Sequence, residues 1–346
     1  MNHTPLLPLA AFALDMALGD PNGWPHPVRL IGWALDRLET LLHPTLSPTE
    51  WVQGETFSRG SGALRPARAR GSARAISPAF KRLYGLFAAI SLSLGVWFLA
   101  SLLIRLPGLG WLFSLYLAFA GLALGQLMRE AGNVSRLLES GRLEDARREL
   151  SFLVSRDTSA LDGPGLWRTL AETVSENYCD AFVAPFFYLC LGGAPLLWLY
   201  KTVSTMDSMW GYKTERFVDL GWAGARADDV LAFLPARLAA CSLLAAGLVL
   251  GLPVRLAWAN FRRDAQTMAS PNAGWPMASA AWLCGASMGG RAVYFGSAVE
   301  KPPLGPAGIH WDTKRFSVLV RLICYAQVCI MVLFPVAALV IFGIFS

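Results

Sequence analysis

The chain has 346 residues, of which 54% are hydrophobic and only 16% are charged, and its formal net charge is +6. Soluble domains carry about 25% charged residues, so this composition excludes an ordinary soluble protein. The 13 tryptophans and 19 phenylalanines exclude a disordered chain. The composition therefore predicts an all-α, polytopic integral membrane protein, with residues 1–346 forming a single membrane-embedded domain.

The N-terminal part combines a short apolar run with a strongly basic segment. Residues 5–14 are apolar, which fits either a short membrane span or a buried helix. Seven lysines and arginines and no acidic residue lie between Arg59 and Arg82. We interpret residues 44–82 as an inserted basic loop on the cytoplasmic side, because cytoplasmic loops are enriched in Lys and Arg. No aromatic platform interleaves with these arginines, so we expect no nucleic-acid partner.

Two uncharged runs follow the basic loop and predict a membrane-spanning helical hairpin. Residues 83–104 and 106–128 are each long enough to cross a bilayer, and Pro107 and Gly108 supply the turn between them. Both outer ends of such a hairpin lie on the same side of the membrane. Residues 129–180, which mix acidic and basic side chains, are therefore predicted to form a cytoplasmic segment.

The C-terminal half contains two further predicted spans, residues 231–254 and 322–345, and two irregular apolar segments. Residues 181–200 are uncharged but contain two prolines and two glycines, which break helices, so we predict a re-entrant or broken segment. Residues 265–290 are too polar for a simple span. If both predicted spans cross once, the segment between them faces the outside, unless the chain folds back into the membrane.

Polar residues concentrate at the ends of the apolar runs. Glu172, Glu176 and Asp180 lie four residues apart, so three carboxylates share one helical face. Like charges at this spacing repel, and a bound cation would remove the penalty, since hard cations prefer carboxylate oxygens. We interpret this cluster as a magnesium or magnesium-nucleotide site, with a solvated helix face as the alternative.

Four other clusters combine charges with hydroxyls or turns. They lie at residues 15–26, 201–213, 224–237 and 270–277. Each also has a structural interpretation, as a helix cap, an interfacial Lys/Tyr/Trp belt, a salt-bridge cluster and a membrane-buried bend, respectively. Lys201, Asp207 and Lys213 suit phosphate and metal binding, although the sequence contains no P-loop.

Six motifs occur in a fixed order along the chain. They are Asp15 to Pro21 with His26-Pro27, Arg156-Asp157-Thr158, Glu172 to Asn177, Thr205 to Met209 with Gly211-Tyr212-Lys213, Asp228-Asp229 with Pro235-Ala236-Arg237, and Ser270 to Met277. Together they resemble the CobD/CbiB family of cobalamin-biosynthesis membrane proteins. The resemblance runs from about residue 14 to residue 305. One departure is Ser204, which stands where the family pattern has asparagine, and this puts a substrate contact there in doubt.

The resemblance implies an adenosylcobinamide-phosphate synthase in the bacterial inner membrane, with its active face in the cytoplasm. Such an enzyme joins a propionate carboxyl of adenosylcobyric acid, an adenosylated corrinoid, to the amine of aminopropanol phosphate or ethanolamine phosphate. ATP and magnesium are the expected drivers, through an acyl phosphate that the amine attacks. Other cobalamin-assembly enzymes are expected partners, beside the lipid bilayer.

The candidate site residues fall into three groups. The candidates for catalysis are Glu172, Glu176, Asp207, Asp228 and Asp229. The candidates for metal binding are Glu176, Asp180 and Asp207. The candidates for substrate binding are Asp20, His26, Arg156, Asn177, Lys201, Tyr212, Lys213, Arg226, Arg237 and Asn272.

Two alternatives come from other functional classes. An AmpE-like, non-catalytic membrane regulator would share the wider resemblance, but the charged motifs here are whole. A multi-pass transporter is disfavoured by the scarcity of ionisable residues within the predicted spans and by the lack of internal repeats.

Overall fold

The computed structural model describes residues 6–20, 23–42, 76–294 and 297–344, with side chains through residue 333. The basic loop predicted at residues 44–82 lies almost entirely outside the described residues. The helices are α1 (Leu6–Leu18), α2 (Pro27–Leu42), α3 (Pro78–Leu103), α4 (Gly110–Gly121), α5 (Leu124–Glu139), α6 (Leu143–Leu150), α7 (Gly163–Tyr178), α8 (Ala184–Trp210), α9 (Trp222–Leu231), α10 (Phe233–Val249), α11 (Val254–Ala265), α12 (Gly274–Cys284) and α13 (Thr313–Ile344). A π-helical turn (Cys179–Val183) joins α7 to α8, and strands β1 (Met288–Tyr294) and β2 (Ser297–Leu304) form an antiparallel hairpin.

The predicted multi-pass helical architecture is confirmed. Within the described part of the chain, four helical stretches are long and apolar enough to cross a membrane, namely Pro78–Leu103, Gly110–Glu139, Gly163–Trp210 and Thr313–Leu333. A fifth crossing results if α9 and α10, which are bent by 43° relative to each other, act as one span.

Helix α3 presents an apolar face outward and a small-residue face inward. Ser77 caps its N-terminus by accepting from the Phe80 N–H at 3.3 Å. Phe87 and Phe98 are about two-thirds exposed, as expected for side chains that contact lipid. On the opposite face, Gly85 packs directly against the Leu220 carbonyl oxygen. This close approach fixes α3 beside the segment that leads into α9.

We expect Gly85→Ala to lower the midpoint of thermal unfolding, because the new Cβ atom would overlap the Leu220 carbonyl oxygen. Overpacking of this kind costs about 1–3 kcal/mol. Differential scanning fluorimetry in detergent micelles measures the shift. Gly95→Ala on the same helix is the matched control, since no described atom lies within 4 Å of its Cβ position. Equal midpoints for the two variants would contradict the packing described here.

A break separates α4 from α5, although the sequence predicted one uninterrupted span over residues 106–128. Ala123 leaves the helical conformation, and its N–H donates to the Ala181 carbonyl at 2.9 Å. The buried Asp15 carboxylate accepts from the Gly125 N–H at 2.9 Å and so caps the first turn of α5. Polar partners from α1 and the π-turn therefore end one helix and start the next.

The predicted broken segment is confirmed in α8. Gly192 and Gly193 have non-helical dihedral angles, and Gly193 lies at φ 67°, a conformation that favours glycine. The chain reverses there, because the rings of Tyr188 and Tyr200 stack with centroids 5.0 Å apart. Leu191, at the tip, is 66% exposed. The two arms of α8 therefore form a helical hairpin.

The region after α10 folds back onto it. Helix α12 has 11 residues, nine of them buried, and packs against α10 and α11. Its position is fixed partly by the buried Asp264 carboxylate, which accepts from the Trp282 indole N–H (2.7 Å) and the Gly305 N–H (3.0 Å). Residues 265–290 therefore form a short buried helix with flanking turns rather than a membrane crossing.

The β-hairpin is a feature that the sequence did not predict. The Glu172 carboxylate accepts from the Gly289 N–H at 2.7 Å, and the Asp157 N–H donates to the Val293 carbonyl at 2.8 Å. These bonds attach β1 to α7 and to the segment that precedes it. The hairpin thus brings residues from late in the sequence to the helical face that carries Glu172 and Glu176.

Candidate functional site

The candidate site lies at the base of the helical hairpin formed by α8. The reversal at Gly192 and Gly193 brings Asp180, which precedes the first arm, next to Lys201, which lies in the second arm near its end. Lys201 is half-buried and interacts electrostatically with Asp180, Asp228 and Asp15. One cation is thus placed among carboxylates from the π-turn, α9 and α1.

Four aspartates give this position an excess of negative charge. Asp228 interacts electrostatically with Asp180, Asp207, Asp229 and Lys201. Its Oδ1 atom is buried and has no hydrogen-bond partner among the described residues. Burying a carboxylate oxygen without a partner is costly unless a ligand satisfies it. The cluster therefore fits a bound cation or a cationic group. We call Asp180, Asp207, Asp228 and Asp229 the aspartate cluster.

The π-turn positions Asp180 within this cluster. Its extra residue bulges the helix between α7 and α8, and such bulges occur frequently at functional sites. The Tyr200 hydroxyl donates to Asp180 Oδ1 at 3.5 Å. The same turn exposes the Ala181 carbonyl that accepts from Ala123. The local irregularity thus serves both the cluster and the break before α5.

His26 lies on the other side of Lys201. Its ring contacts Trp198 with a centroid distance of 6.3 Å, and it interacts electrostatically with Asp20 and Lys201. Burial lowers the pKa of His26 below its usual value, and the opposing effect of Asp20 is smaller. His26 is therefore neutral at pH 7 and can both donate and accept a hydrogen bond.

Asn272 joins the loop before α12 to the aspartate cluster. Its side-chain N–H donates to the Asp229 carbonyl at 2.8 Å, and its Oδ1 accepts from Arg237 at 2.6 Å. The Arg237 guanidinium lies between the rings of Phe233 and Trp275, with distances of 3.6 and 4.5 Å to their centroids. The 270–277 motif therefore lies next to the segment that carries Asp229 and Arg237 rather than apart from it.

Glu172 and Glu176 have different surroundings although they share a helical face. Glu172 is fully buried and forms an ion pair with the buried Arg156, in addition to its bond from Gly289. Glu176 is half-buried, and its electrostatic neighbours include Lys301, Glu172 and Arg156. Glu172 thus anchors the β-hairpin, whereas Glu176 faces the space between the hairpin and the aspartate cluster.

Comparison with known proteins identifies the family of this chain. The family described as CobD/Cbib protein matches residues 8–323. The chain belongs to the CobD/CbiB family. It is 38% identical over 325 residues to the cobalamin biosynthesis protein CobD of Geobacter metallireducens, covering 94% of this chain and 93% of that relative. It is 35% identical over 332 residues to CbiB of Salmonella typhi, covering 94% and 95%.

The resemblance seen in the sequence is therefore confirmed, and cobalamin biosynthesis is the family's role. A third relative, CobD of Photorhabdus laumondii, is 38% identical over 298 residues and is covered to 85%, with 86% of this chain. No solved structure matches the chain. The arrangement of side chains described above is thus the structural basis for assigning roles in this CobD/CbiB protein.

Several predicted substrate-binding residues lie at the edge of this site. Arg226 is exposed, and its Nη1 is 3.6 Å from Asp229 Oδ2. Lys213 is exposed and Tyr212 is half-buried in the segment after α8. The Asn177 side chain donates to the Thr173 carbonyl at 3.0 Å, which leaves its oxygen as the free acceptor.

Sequence reasoning missed two basic residues near the acidic face of α7 in this CobD/CbiB chain. They are Arg168, which lies 3.9 Å from Glu172, and Lys301, which is an electrostatic neighbour of Glu176. Arg168 lies four residues before Glu172, so it continues the spacing of the acidic face by one turn towards the N-terminus. This spacing could have identified Arg168 as a member of the same face from the sequence. No pattern in the sequence indicated that Lys301 lies near this face, because the hairpin that carries it is held in place by contacts with α7, more than 100 residues away.

Proposed function

We propose that this CobD/CbiB protein is an adenosylcobinamide-phosphate synthase. It forms an amide between a propionate carboxyl of adenosylcobyric acid and the amine of aminopropanol phosphate or ethanolamine phosphate, driven by ATP and magnesium. The observation that carries the proposal is the aspartate cluster around Lys201, with an unpaired buried oxygen on Asp228. The relatives' names support a role in cobalamin biosynthesis.

The donor set of the cluster fits magnesium. No group of three or more His, Cys, Asp or Glu side chains within the described ranges is arranged to hold a metal ion by itself. Magnesium, however, is usually held by one or two carboxylates together with substrate phosphates and water. One or two of Asp180, Asp207 and Asp228 would hold it here together with substrate phosphates, and the ion would neutralise charge on the transferred phosphoryl group.

The remaining residues of the cluster have roles in the two chemical steps. The substrate carboxylate first displaces ADP from ATP and becomes an acyl phosphate, and Lys201 offsets the negative charge of this group. The ammonium group of the second substrate first loses one proton to solvent, the neutral amine then attacks the acyl carbon, inorganic phosphate leaves, and a second proton is released from nitrogen. Glu176 accepts that proton, since it is the half-buried carboxylate at the edge of the cluster.

The site is assigned to the cytoplasmic face of the bacterial inner membrane, where ATP is available. Labelling of a cysteine introduced next to Asn272 by a membrane-impermeant maleimide tests this side. Labelling in inverted vesicles but not in intact cells supports the assignment, and the reverse pattern contradicts it.

The reaction itself is tested with purified protein in detergent or nanodiscs. We expect amide formation from adenosylcobyric acid, aminopropanol phosphate and Mg-ATP, detected as adenosylcobinamide phosphate by mass spectrometry, together with one ADP for each amide. Omission of magnesium or its removal by chelation should abolish the product. No product with either amine would favour a non-catalytic regulator, and substrate-dependent flux into liposomes would favour a transporter.

A further inference from the structure

Two basic side chains converge at the base of the β-hairpin. Gly290 in β1 is the antiparallel partner of Lys301 in β2, and opposed residues in such a pair project to the same face. Gly290 has no side chain there, and a Cβ atom added to it would lie 3.3 Å from the Arg168 Nη1 atom. Arg168 on α7 and Lys301 on β2 thus lie at the same face of the β-hairpin.

The charge of Arg168 is only weakly compensated. Its Nε atom is buried without a hydrogen-bond partner in the described part of the chain, and it lies 3.9 Å from Glu172 Oε1. Glu172 is already neutralised by Arg156 and by the Gly289 N–H. One Arg168 Nη atom makes a long bond of 3.4 Å to the Arg291 carbonyl. The guanidinium therefore retains donors for an anion.

Lys301 extends the same basic surface towards Glu176. Its Nζ atom is 5.2 Å from the centre of the Tyr294 ring, which holds the ammonium group by a cation–π contact. It interacts electrostatically with Glu176. The order along this face of α7 is thus Arg168 and Lys301, then Glu176, then the aspartate cluster. A small ligand placed along it would meet cations first and carboxylates next.

We propose that Arg168 and Lys301 form an anion site for the phosphate of the amino-alcohol phosphate, with the amine directed past Glu176 towards Lys201. This inference rests on the proposed function and adds the binding residues and the direction of the second substrate. A phosphate monoester carries close to two negative charges and is well matched by an arginine fork and a lysine point charge. Its ammonium end is matched by Glu176 and by the aspartate cluster, one turn further along the helix.

The test compares Lys301→Ala and Arg168→Ala with the control Lys314→Ala, an exposed lysine at the start of α13. We expect the first two variants to raise KM for aminopropanol phosphate by about tenfold or more, with kcat and the KM values for ATP and adenosylcobyric acid little changed. Aminopropanol without phosphate should be used equally poorly by all variants and by the wild type. Lys301→Arg should recover most of the affinity.

Two outcomes would overturn the anion site. One is an unchanged KM for aminopropanol phosphate in both alanine variants, and the other is a selective rise in KM for ATP, which would assign the site to a nucleotide phosphate. Calorimetric titration with aminopropanol phosphate alone, without ATP or corrinoid, separates this inference from the proposed reaction. Binding that is lost in Lys301→Ala supports the site even if wild-type protein forms no amide. Wild-type protein that forms the amide while Lys301→Ala binds normally contradicts the site alone.

Discussion

Asp228→Asn is expected to lower kcat for amide formation by about 10²-fold or more while leaving the protein as stable as the wild type or more stable. The loss of activity follows from the proposed role of Asp228 as a magnesium ligand beside the transferred phosphoryl group, where a charged oxygen contributes several kcal/mol. Stability is retained because the buried Oδ1 has no hydrogen-bond partner in the described part of the chain and the neighbouring charges are mostly aspartates. Amide formation by mass spectrometry and the unfolding midpoint by differential scanning fluorimetry measure the two effects.

The combination of these two effects distinguishes a functional carboxylate from a structural one. Substitution of a residue that only stabilises the fold would lower the stability and the activity of the protein together. Asp145→Asn is the control, since Asp145 lies on α6 and pairs with Arg142 and Arg148 at the surface. Its kcat should be unchanged. Asp228→Asn with normal activity would remove Asp228 from the site.

Glu172→Ala, in contrast, is expected to destabilise the protein, with a loss of about 3–5 kcal/mol in the free energy of unfolding. The change leaves the buried Arg156 without its counter-charge and the Gly289 N–H without its acceptor. Because these contacts attach the β-hairpin to α7, the variant should also lose activity. Chemical unfolding in mixed micelles measures the stability change.

Two further variants test the cause of that loss. Arg156→Met combined with Glu172→Leu removes both buried charges, and it should recover part of the stability that Glu172→Ala loses. Glu139→Ala, at the exposed end of α5, should stay within about 0.5 kcal/mol of the wild type. If Glu172→Ala unfolded at the same denaturant concentration as Glu139→Ala, the anchoring role of Glu172 would be wrong.

The position of the fold-back in α8 was accessible from the sequence. Two adjacent glycines and the flanking prolines interrupt an otherwise apolar run, and the reversal occurs at Gly192 and Gly193. A reversal there brings Asp180 and Lys201 together, because they lie at similar distances from it along the chain. The break between α4 and α5 was not accessible, because it depends on Asp15 and Ala181, which are distant in sequence.

For the candidate site residues too, part of the arrangement was accessible from the sequence and part was not. The spacing of Glu172, Glu176 and Asp180 correctly indicated one helical face, and the family motifs indicated that this face belongs with Lys201 and Asp228. Periodicity could not separate Glu172 from Glu176. Their different roles come from Arg156 and Gly289, which neutralise the first, and from Lys301, which faces the second.

The sequence by itself determined that this is a multi-pass helical membrane protein of the CobD/CbiB family, since low charge content, long apolar runs and ordered motifs are local properties of the chain. Only the tertiary structure decided which charges meet. It placed Asn272 against Arg237, brought the β-hairpin to α7 and left the Asp228 Oδ1 atom without a hydrogen-bond partner among the described residues. The physical reason is that backbone hydrogen bonding and hydrophobic periodicity act over a few residues, whereas the partner of a buried charge is chosen by contacts between segments far apart in the chain.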